Sequence, residues 1–306
     1  MTLFPTDFPG RTLASSHGKL TRRQLLALGL PLAAAGTLAT AVGLGFEEAQ
    51  GLAVRKIVIS IAQLPAAFDG FLIAHLSDFH YHPIYTAKPI IQGIREANKL
   101  SPDIVVLTGD FVTIPLLGLR RRISIPAQAA PCAELLSHLR PRQGTYAVLG
   151  NHDQSSRPAV VTESLQRRGI RVLRNQAVSV ERNGSRIWLA GVDDALRGAD
   201  DLPRAISGIP TKDTIILLAH EPDIADEVAE YPVSVQLSGH SHGGQIRLPL
   251  LGPPYLPELA RKYPWGLRKV GDLNLYTNCG LGTLGLPMRL NCPPEVTLIR
   301  LVRGLT

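Results

Sequence analysis

The chain has 306 residues, of which 45% are hydrophobic and 19% are charged, and its formal net charge at pH 7 is +7. This composition is typical of a globular protein with one large domain core, and it excludes an intrinsically disordered chain. The three cysteines, Cys132, Cys279 and Cys292, are too few and too scattered for a disulfide scaffold or a thiolate zinc site, and no aromatic-studded basic stripe indicates a nucleic-acid partner.

The N-terminal segment, residues 1–46, has the pattern of a twin-arginine export signal. Arg22-Arg23 precedes an uncharged stretch, Leu25 to Phe46, that is rich in Ala, Gly and Leu. Pro31 and the glycines of this stretch disfavour a buried helix. We therefore expect export by the twin-arginine machinery. Two end states stay open: a membrane anchor that leaves the domain facing outward, or cleavage near Ala39-Thr40-Ala41 that releases a periplasmic or cell-wall-associated protein.

Residues 47–306 form the second predicted unit, in which strands alternate with helices. Ile57, Ile59 and Ile61 recur at every second position, which predicts a first strand. The alternation of strands and helices that follows predicts an α/β sandwich. The other predicted elements are helices at Pro89 to Leu100, Ala130 to Leu139 and Pro158 to Arg168, a hairpin over Val178 to Val192 around Asn183-Gly184, and a closing strand at Glu295 to Val302.

Five apolar runs end in polar residues suited to metal binding. Ligands bind beyond the strand ends of open sheets, so these termini predict one common site. Residues two apart on an extended segment point to the same side, which would let each Asp-x-His or His-x-His pair present two ligands together. Mixed imidazole and oxygen ligands suit Zn, Fe or Mn better than Mg or Ca alone. The residues at the five ends are Asp78 with His80, Asp110, Asn151 with His152 and Asp153, His220, and His240 with His242.

These five blocks, in this order, resemble the calcineurin-like metallophosphoesterase superfamily, whose motifs are Asp-x-His, Gly-Asp, Gly-Asn-His-Asp/Glu, a single His and Gly-His-x-His. The resemblance covers Phe71 to Leu301. The leader, the run Gly239 to Gln245, and the tail formed by Gly280 to Thr283 with Pro294-Glu295 resemble its exported YkuE-like branch. The fold that the resemblance implies is an α/β, four-layer αββα metallophosphoesterase sandwich of two mixed sheets flanked by helices.

The resemblance also implies a role for each site residue. Two divalent transition-metal ions, Mn, Zn or Fe, are expected, with Asp110 bridging them. His152 is expected to contact the phosphoryl group or protonate the leaving oxygen. Phosphoprotein phosphatases carry an orienting aspartate at the position where this chain has Thr113. The partner that orients His152 therefore stays open, and Asp153 is a candidate for that role. One metal would be held by Asp78, His80, Asp110 and His242, and the other by Asp110, Asn151, His220 and His240.

The expected function is hydrolysis of a phosphate ester by a metal-bridging hydroxide, with His152 as the acid. The charges of two divalent cations, two carboxylates and one hydroxide sum to a net charge of about +1 at the site, which favours binding of an anionic phosphate. Three possibilities stay open: a phosphodiester or pyrophosphate of a lipid or cell-envelope polymer, a phosphomonoester of a small nucleotide or sugar, or a non-catalytic metal-binding module with this fold.

Three further features of the sequence each have two interpretations. The apolar and basic loop Phe111 to Gln128 would shape substrate choice or be a solvated run of charge. Cys279 and Cys292 would close a disulfide in an oxidising compartment or stay buried free thiols. His75, inside an apolar run, is interpreted as a hydrogen-bonded core histidine, and His82 as structural, with substrate contact as its alternative.

Overall fold

The computed structural model describes residue 40 and residues 42–114 and 124–304. Most of the predicted export segment and the centre of the loop after Asp110 lie outside these residues. In the part of the chain that is described, no helix is both long and apolar enough to cross a bilayer. Leu44–Thr306 form a compact unit. The export route and the two end states of the leader stay predictions.

The first sheet is mixed, and it carries three of the five predicted strand ends. Within the described residues its strand order is β1-β12-β2-β3-β4-β5, in which β2 to β5 are parallel and β12 is antiparallel to β2. β3 and β4 are buried along their whole length, because other layers cover both of their faces. The bounds are β1 (Ala53–Ile61), β2 (Leu72–Leu76), β3 (Ile104–Thr108), β4 (Thr145–Val148), β5 (Arg171–Val172) and β12 (Glu295–Arg303).

The second sheet is also mixed and carries the other two predicted ends, those of β8 and β9. Its order in the described chain is β10-β11-β9-β8-β7-β6. The predicted hairpin is confirmed: Asn183 and Gly184 join β6 and β7 with φ angles of 49° and 73°, both positive as a two-residue type I′ turn requires. The bounds are β6 (Gln176–Arg182), β7 (Ser185–Gly191), β8 (Ile215–Leu218), β9 (Val235–Ser238), β10 (Gly266–Val270) and β11 (Leu273–Thr277).

Helices cover the outer faces of both sheets, so the predicted four-layer sandwich is confirmed. One apolar core lies between the two sheets, a second between the first sheet and α2, α3 and α5, and a third between the second sheet and α6 and α7. The bounds are α1 (42–49), α2 (Ala87–Lys99), α3 (Ile125–Leu136), α4 (Asn151–Gln154), α5 (Pro158–Gln166), α6 (Leu202–Ala205) and α7 (Ala225–Val228), with short 3-10 turns at Ala66–Phe68, Pro222–Ile224 and His242–Gly244.

The start of α3 differs from the prediction at Ala130. The helix begins at Ile125, and Pro131 lies inside it instead of in its first turn. Pro126 occupies the first turn of the helix, where its missing N–H leaves no bond unmade, and the helix ends at Leu136 and not at Leu139.

Candidate metal centre

The backbone turns sharply at the ligand positions. β2 ends at Leu76, and both Asp78 and His80 beyond it have left-handed φ angles, of 50° and 40°. His240 and His242 do the same, at 67° and 50°. The prediction that these pairs lie on extended segments is therefore wrong, because each chain leaves its strand and turns before it reaches the ligands. The turned backbone nevertheless brings ligand atoms of Asp78, His80 and His242 within 4.8 Å of one another.

The first group of facing ligand atoms consists of Asp78, His80 and His242. Nε2 of His80 lies 3.0 Å from Nε2 of His242, which in turn lies 3.5 Å from Oδ1 of Asp78. The other nitrogen of His80, Nδ1, lies 3.1 Å from the Thr113 hydroxyl oxygen. Two ring nitrogens and a carboxylate oxygen that face one another at these distances form a set that a cation would satisfy.

The second group consists of Asp110, His220 and His240, and its tautomers follow from outer hydrogen bonds. Nδ1–H of His220 donates to the Thr108 carbonyl at 2.5 Å, which leaves the lone pair on Nε2. That buried Nε2 has no hydrogen-bond partner among the described residues and faces Oδ2 of Asp110 at 3.3 Å. Nε2–H of His240 donates to the Glu258 carbonyl at 2.8 Å, which leaves its Nδ1 free to bind a metal.

Asp110 stands between the two groups. Its Oδ2 lies 3.4 Å from Nε2 of His80 and 3.3 Å from Nε2 of His220. Oδ1 of Asn151 is buried and has no hydrogen-bond partner among the described residues. Buried polar atoms are almost always paired in native proteins, so the orphaned Asn151 oxygen and His220 nitrogen indicate a missing ligand. The residues present therefore fit a metal centre.

The electrostatics of the site also favour cations. Burial lowers the pKa of His80 and of His240 to about 3 and that of His242 well below its usual value, so these rings are neutral with lone pairs available. Burial alone would lower the pKa of His220 too, but Asp110 and Asp78 raise it well above its usual value. The field that favours a proton on His220 favours a metal ion in the same place.

His152 lies beside both groups and has a defined tautomer. Its Nδ1 accepts a hydrogen bond from the backbone N–H of Ile114 at 2.9 Å, so the neutral ring carries its proton on Nε2. The ring is perpendicular to that of His80, at 4.8 Å between centroids, and the backbone N–H of His152 donates to Oδ1 of Asp110. The Ile114 backbone, and not a carboxylate, is thus the group that contacts Nδ1.

Asp153 has a different environment from the one expected for an orienting partner of His152. Its buried carboxylate accepts hydrogen bonds from the backbone N–H groups of Gly150 and Phe111, both at 3.0 Å, and of Val112 at 3.1 Å. These bonds join the segments that follow β3 and β4, and so hold Asp110 beside Asn151. The described contacts give Asp153 a structural role and leave the expected contact with His152 unsupported.

Two glycines allow the strand ends to approach so closely. A Cβ on Gly239 would overlap Oγ of Ser77 and Oδ2 of Asp78. Gly109 has a φ of 88°, and a Cβ there would lie 2.5 Å from the backbone nitrogen of Gly150. Each of these glycines directly precedes a predicted ligand. In the Gly-Asp and Gly-His motifs the glycine therefore permits close packing of the backbone, and the residue after it is the predicted ligand.

Arg289 supports the site from behind, and sequence reasoning missed it. The side chain is fully buried and donates to the carbonyls of Cys279, Gly280, Gly282 and Cys292. Gly282 in turn donates its N–H to the carbonyl of Asp78 at 2.7 Å. The sequence carried no signal for this role, because an arginine that binds carbonyls needs no particular partner side chain.

The cysteine and histidine interpretations have clear outcomes in the structure. Cys279 and Cys292 are buried free thiols, and Sγ of Cys292 donates to the His242 carbonyl at 3.2 Å, so the sulfur supports a ligand loop. His75 is buried and contacts the Thr108 hydroxyl at 2.9 Å, which confirms its interpretation as a core histidine. His82 stacks on Tyr85 at 4.5 Å between ring centroids, which agrees with a structural role.

A cleft of about 540 Å³ opens above these ligands. Its floor includes Asp110, Asn151, His240 and His242, and its walls include His152 and several apolar side chains. A cleft of this size accommodates a small organic molecule as well as a phosphoryl group.

The sequence that forms this site is similar to the sequences of known proteins. Residues 71–244 match the profile of the family described as calcineurin-like phosphoesterase. The chain is 35% identical over 289 residues to an uncharacterized metallophosphoesterase of Bacillus subtilis, YkuE, with 92% of this chain and 98% of the relative covered. It is 31% identical over 278 residues to the phosphodiesterase YaeI of Escherichia coli, with 88% and 97% covered.

A third relative is longer. A transmembrane protein with metallophosphoesterase domain from Danio rerio is 33% identical over 267 residues, which cover 83% of this chain and 58% of that protein.

Replacement of Arg289 by Leu should destabilise the protein by about 2–4 kcal/mol, because several buried carbonyls lose a charged donor. The exposed Arg268 on β10 supplies a matched control, since Arg268→Leu removes no buried contact. Urea unfolding of the two variants measures the difference. Equal stabilities would mean that the Arg289 contacts contribute nothing.

Proposed function

The chain belongs to the calcineurin-like phosphoesterase family and is a metal-dependent phosphoester hydrolase, and from that premise we propose that it hydrolyses phosphodiesters at a centre of two transition-metal ions with His152 as the proton donor. The observation that carries the proposal is the position of Asp110, whose Oδ2 lies between His80 and His220 at 3.4 and 3.3 Å. One carboxylate shared by two groups of ligands is what a bridged pair of ions requires. A phosphodiester is the first choice because one relative is named a phosphodiesterase.

The two proposed sets of metal ligands share the Asp110 carboxylate. Bound Mn, Zn or Fe ions would supply Lewis-acid stabilisation of the phosphoryl oxygens and would lower the pKa of a water molecule. Asp78, His80, Asp110 and His242 would hold one ion, and Asp110, Asn151, His220 and His240 the other.

The other roles in the proposed reaction belong to side chains and backbone groups around the ligands. The outer bonds of His220 and His240 to the Thr108 and Glu258 carbonyls fix which nitrogen of each ring faces the centre. His152 keeps its Nε2 proton because the Ile114 N–H occupies Nδ1, and its side chain lines the cleft in which a substrate would bind. In this neutral form the fixed Nε2–H is suited to donate a hydrogen bond to the leaving oxygen, whereas transfer of the proton itself requires the doubly protonated ring.

The two alternatives need fewer of these features. A non-catalytic metal-binding module would use the ligands but would have no need of a proton donor with a fixed tautomer beside them. A phosphomonoesterase would use the same centre on a smaller substrate, and hydrolysis of bis-p-nitrophenyl phosphate against p-nitrophenyl phosphate distinguishes the two esterases. A lipid or cell-envelope phosphoester is the substrate class that would accompany an exported protein.

The metal stoichiometry tests the bridged pair. We expect nearly two ions per chain in the purified protein and well under one after Asp110→Ala, because both groups lose the same carboxylate. Asp272→Ala, on an exposed position, is the control and should leave the metal content unchanged. Elemental analysis of the three proteins decides, and a content of one ion that is insensitive to Asp110 contradicts the bridge.

Replacement of His152 by Ala should slow turnover by roughly 100-fold or more without loss of metal. The effect should be larger on diphenyl phosphate than on bis-p-nitrophenyl phosphate, since p-nitrophenol leaves with little protonation. His138→Ala, in the exposed turn after α3, is the control histidine. Turnover that is unchanged on the poorer leaving group would rule out the proton-donor role.

Export is a separate proposal, and it rests on the sequence of residues 1–46. We expect the domain to fold and load metal in the cytoplasm and then cross the membrane folded, which lets the cell choose the metal before release. Arg22→Lys with Arg23→Lys should abolish export, whereas Arg11→Lys should not, as cell fractionation can show. Export of the double variant contradicts the route, and a mature chain that begins after Ala41 excludes the anchor.

A further inference from the structure

The cleft is too large for a phosphoryl group alone. Its volume of about 540 Å³ lies in the range of sites for whole small molecules, so the groups esterified to the phosphate also lie in it. One wall is fixed in place by Gln245, whose amide nitrogen donates to the carbonyls of Leu284 and Leu286 at 3.1 Å and whose oxygen accepts from the N–H of Leu284 at 2.8 Å. The cleft is therefore a formed site.

Arg197 brings a positive charge without an ion pair among the described residues to another wall of this cleft. The side chain is exposed and lines the cleft beside Leu196. The described residues give it no ion pair and no hydrogen bond, and two of its acidic neighbours are engaged elsewhere. Asp193 pairs with Arg174 at 2.6 Å, and Asp201 accepts the backbone N–H of Arg204 at 3.0 Å. A free guanidinium that lines a binding cleft is suited to a phosphate or carboxylate, which it can bind with two parallel hydrogen bonds.

The loop that carries Arg197 is tied to the helix that carries His152. Arg174 donates to Oδ2 of Asp193 at 2.8 Å, and its other end donates to Oε1 of Gln154 in α4 at 3.3 Å. This bridge sets the Arg197 loop beside α4. Because the proposed function makes His152 the donor to the leaving oxygen, the loop lies on the leaving-group side of the site.

We propose that Arg197 binds an anionic group on the leaving group, and that the substrates of this site are pyrophosphate-linked diesters. The inference rests on the proposed function. In the reaction, a P–O bond forms to the oxygen of water and the bridging P–O bond breaks. The bridging oxygen keeps the electron pair and accepts a hydrogen bond from Nε2–H of His152, and the proton lost by the water leaves with the departing phosphate. Arg197 holds the departing phosphate.

The test compares two substrates that differ in the charge of the leaving group. P1,P2-diphenyl pyrophosphate releases phenyl phosphate, whereas bis-p-nitrophenyl phosphate releases p-nitrophenol, which carries no second anionic group. Arg197→Ala should lower kcat/KM on the pyrophosphate by about 10-fold or more, the usual effect of losing a charged hydrogen bond, and change it less than about twofold on the other substrate. Arg197→Lys should retain part of the activity, and Arg204→Ala, an exposed arginine of α6, should retain all of it.

Other outcomes separate the inference from the function on which it rests. Equal losses on both substrates would place Arg197 at the scissile phosphoryl group and overturn the inference, as would no loss on either. Wild-type protein that cleaves bis-p-nitrophenyl phosphate but not the pyrophosphate overturns the inference and leaves the proposed function intact. Metal-loaded wild-type protein that cleaves neither overturns the proposed function and the inference with it.

Discussion

The carboxylate of Asp110 is the point on which the rest of the architecture depends. It can lie between His80 and His220 only if strand ends from both sheets meet within a few ångströms of one another. The core between the sheets brings the strands together, but the last approach is made by backbone. Gly109 and Gly239 remove the side chains that would keep the ends apart, and left-handed turns then aim the ligands. The cost of these conformations, about 1 kcal/mol or more at each non-glycine residue, is offset by the packing around them.

A second requirement is that each ring present the correct nitrogen. In His220 and His240 a backbone carbonyl holds the outer nitrogen, and in His80 the Thr113 hydroxyl contacts it. These partners come from segments distant in sequence, so the ligand geometry is a property of the whole fold. Burial keeps three of the rings neutral, and the carboxylates supply the negative field. The charges and the tautomers of the site therefore already suit cations before any cation binds.

The sequence allowed the candidate ligands to be placed at one common site, but it did not reveal the groups that support them, and the reason is physical. Ligands such as Asp110 and His220 follow apolar runs, and the hairpin turn at Asn183-Gly184 demands residues that tolerate positive φ, so both leave a pattern in the sequence. The backbone carbonyls that fix the rings occur in every residue type, so they leave no pattern in the sequence. Arg289 was missed for the same reason. The extended Asp-x-His segments were predicted wrongly, because side-chain periodicity does not show where a strand stops.

The carbonyl contacts of Arg289 have a consequence for how this site can diversify. The arginine binds backbone at Cys279, Gly280, Gly282 and Cys292, so the contacts hold whatever side chains occupy the stretch between them. Within that stretch, residues 284 and 285 line the cleft. Mutations there can reshape the pocket without disturbing the Arg289 contacts or the candidate metal ligands, so substrate preference can drift under selection while the candidate metal centre stays constant.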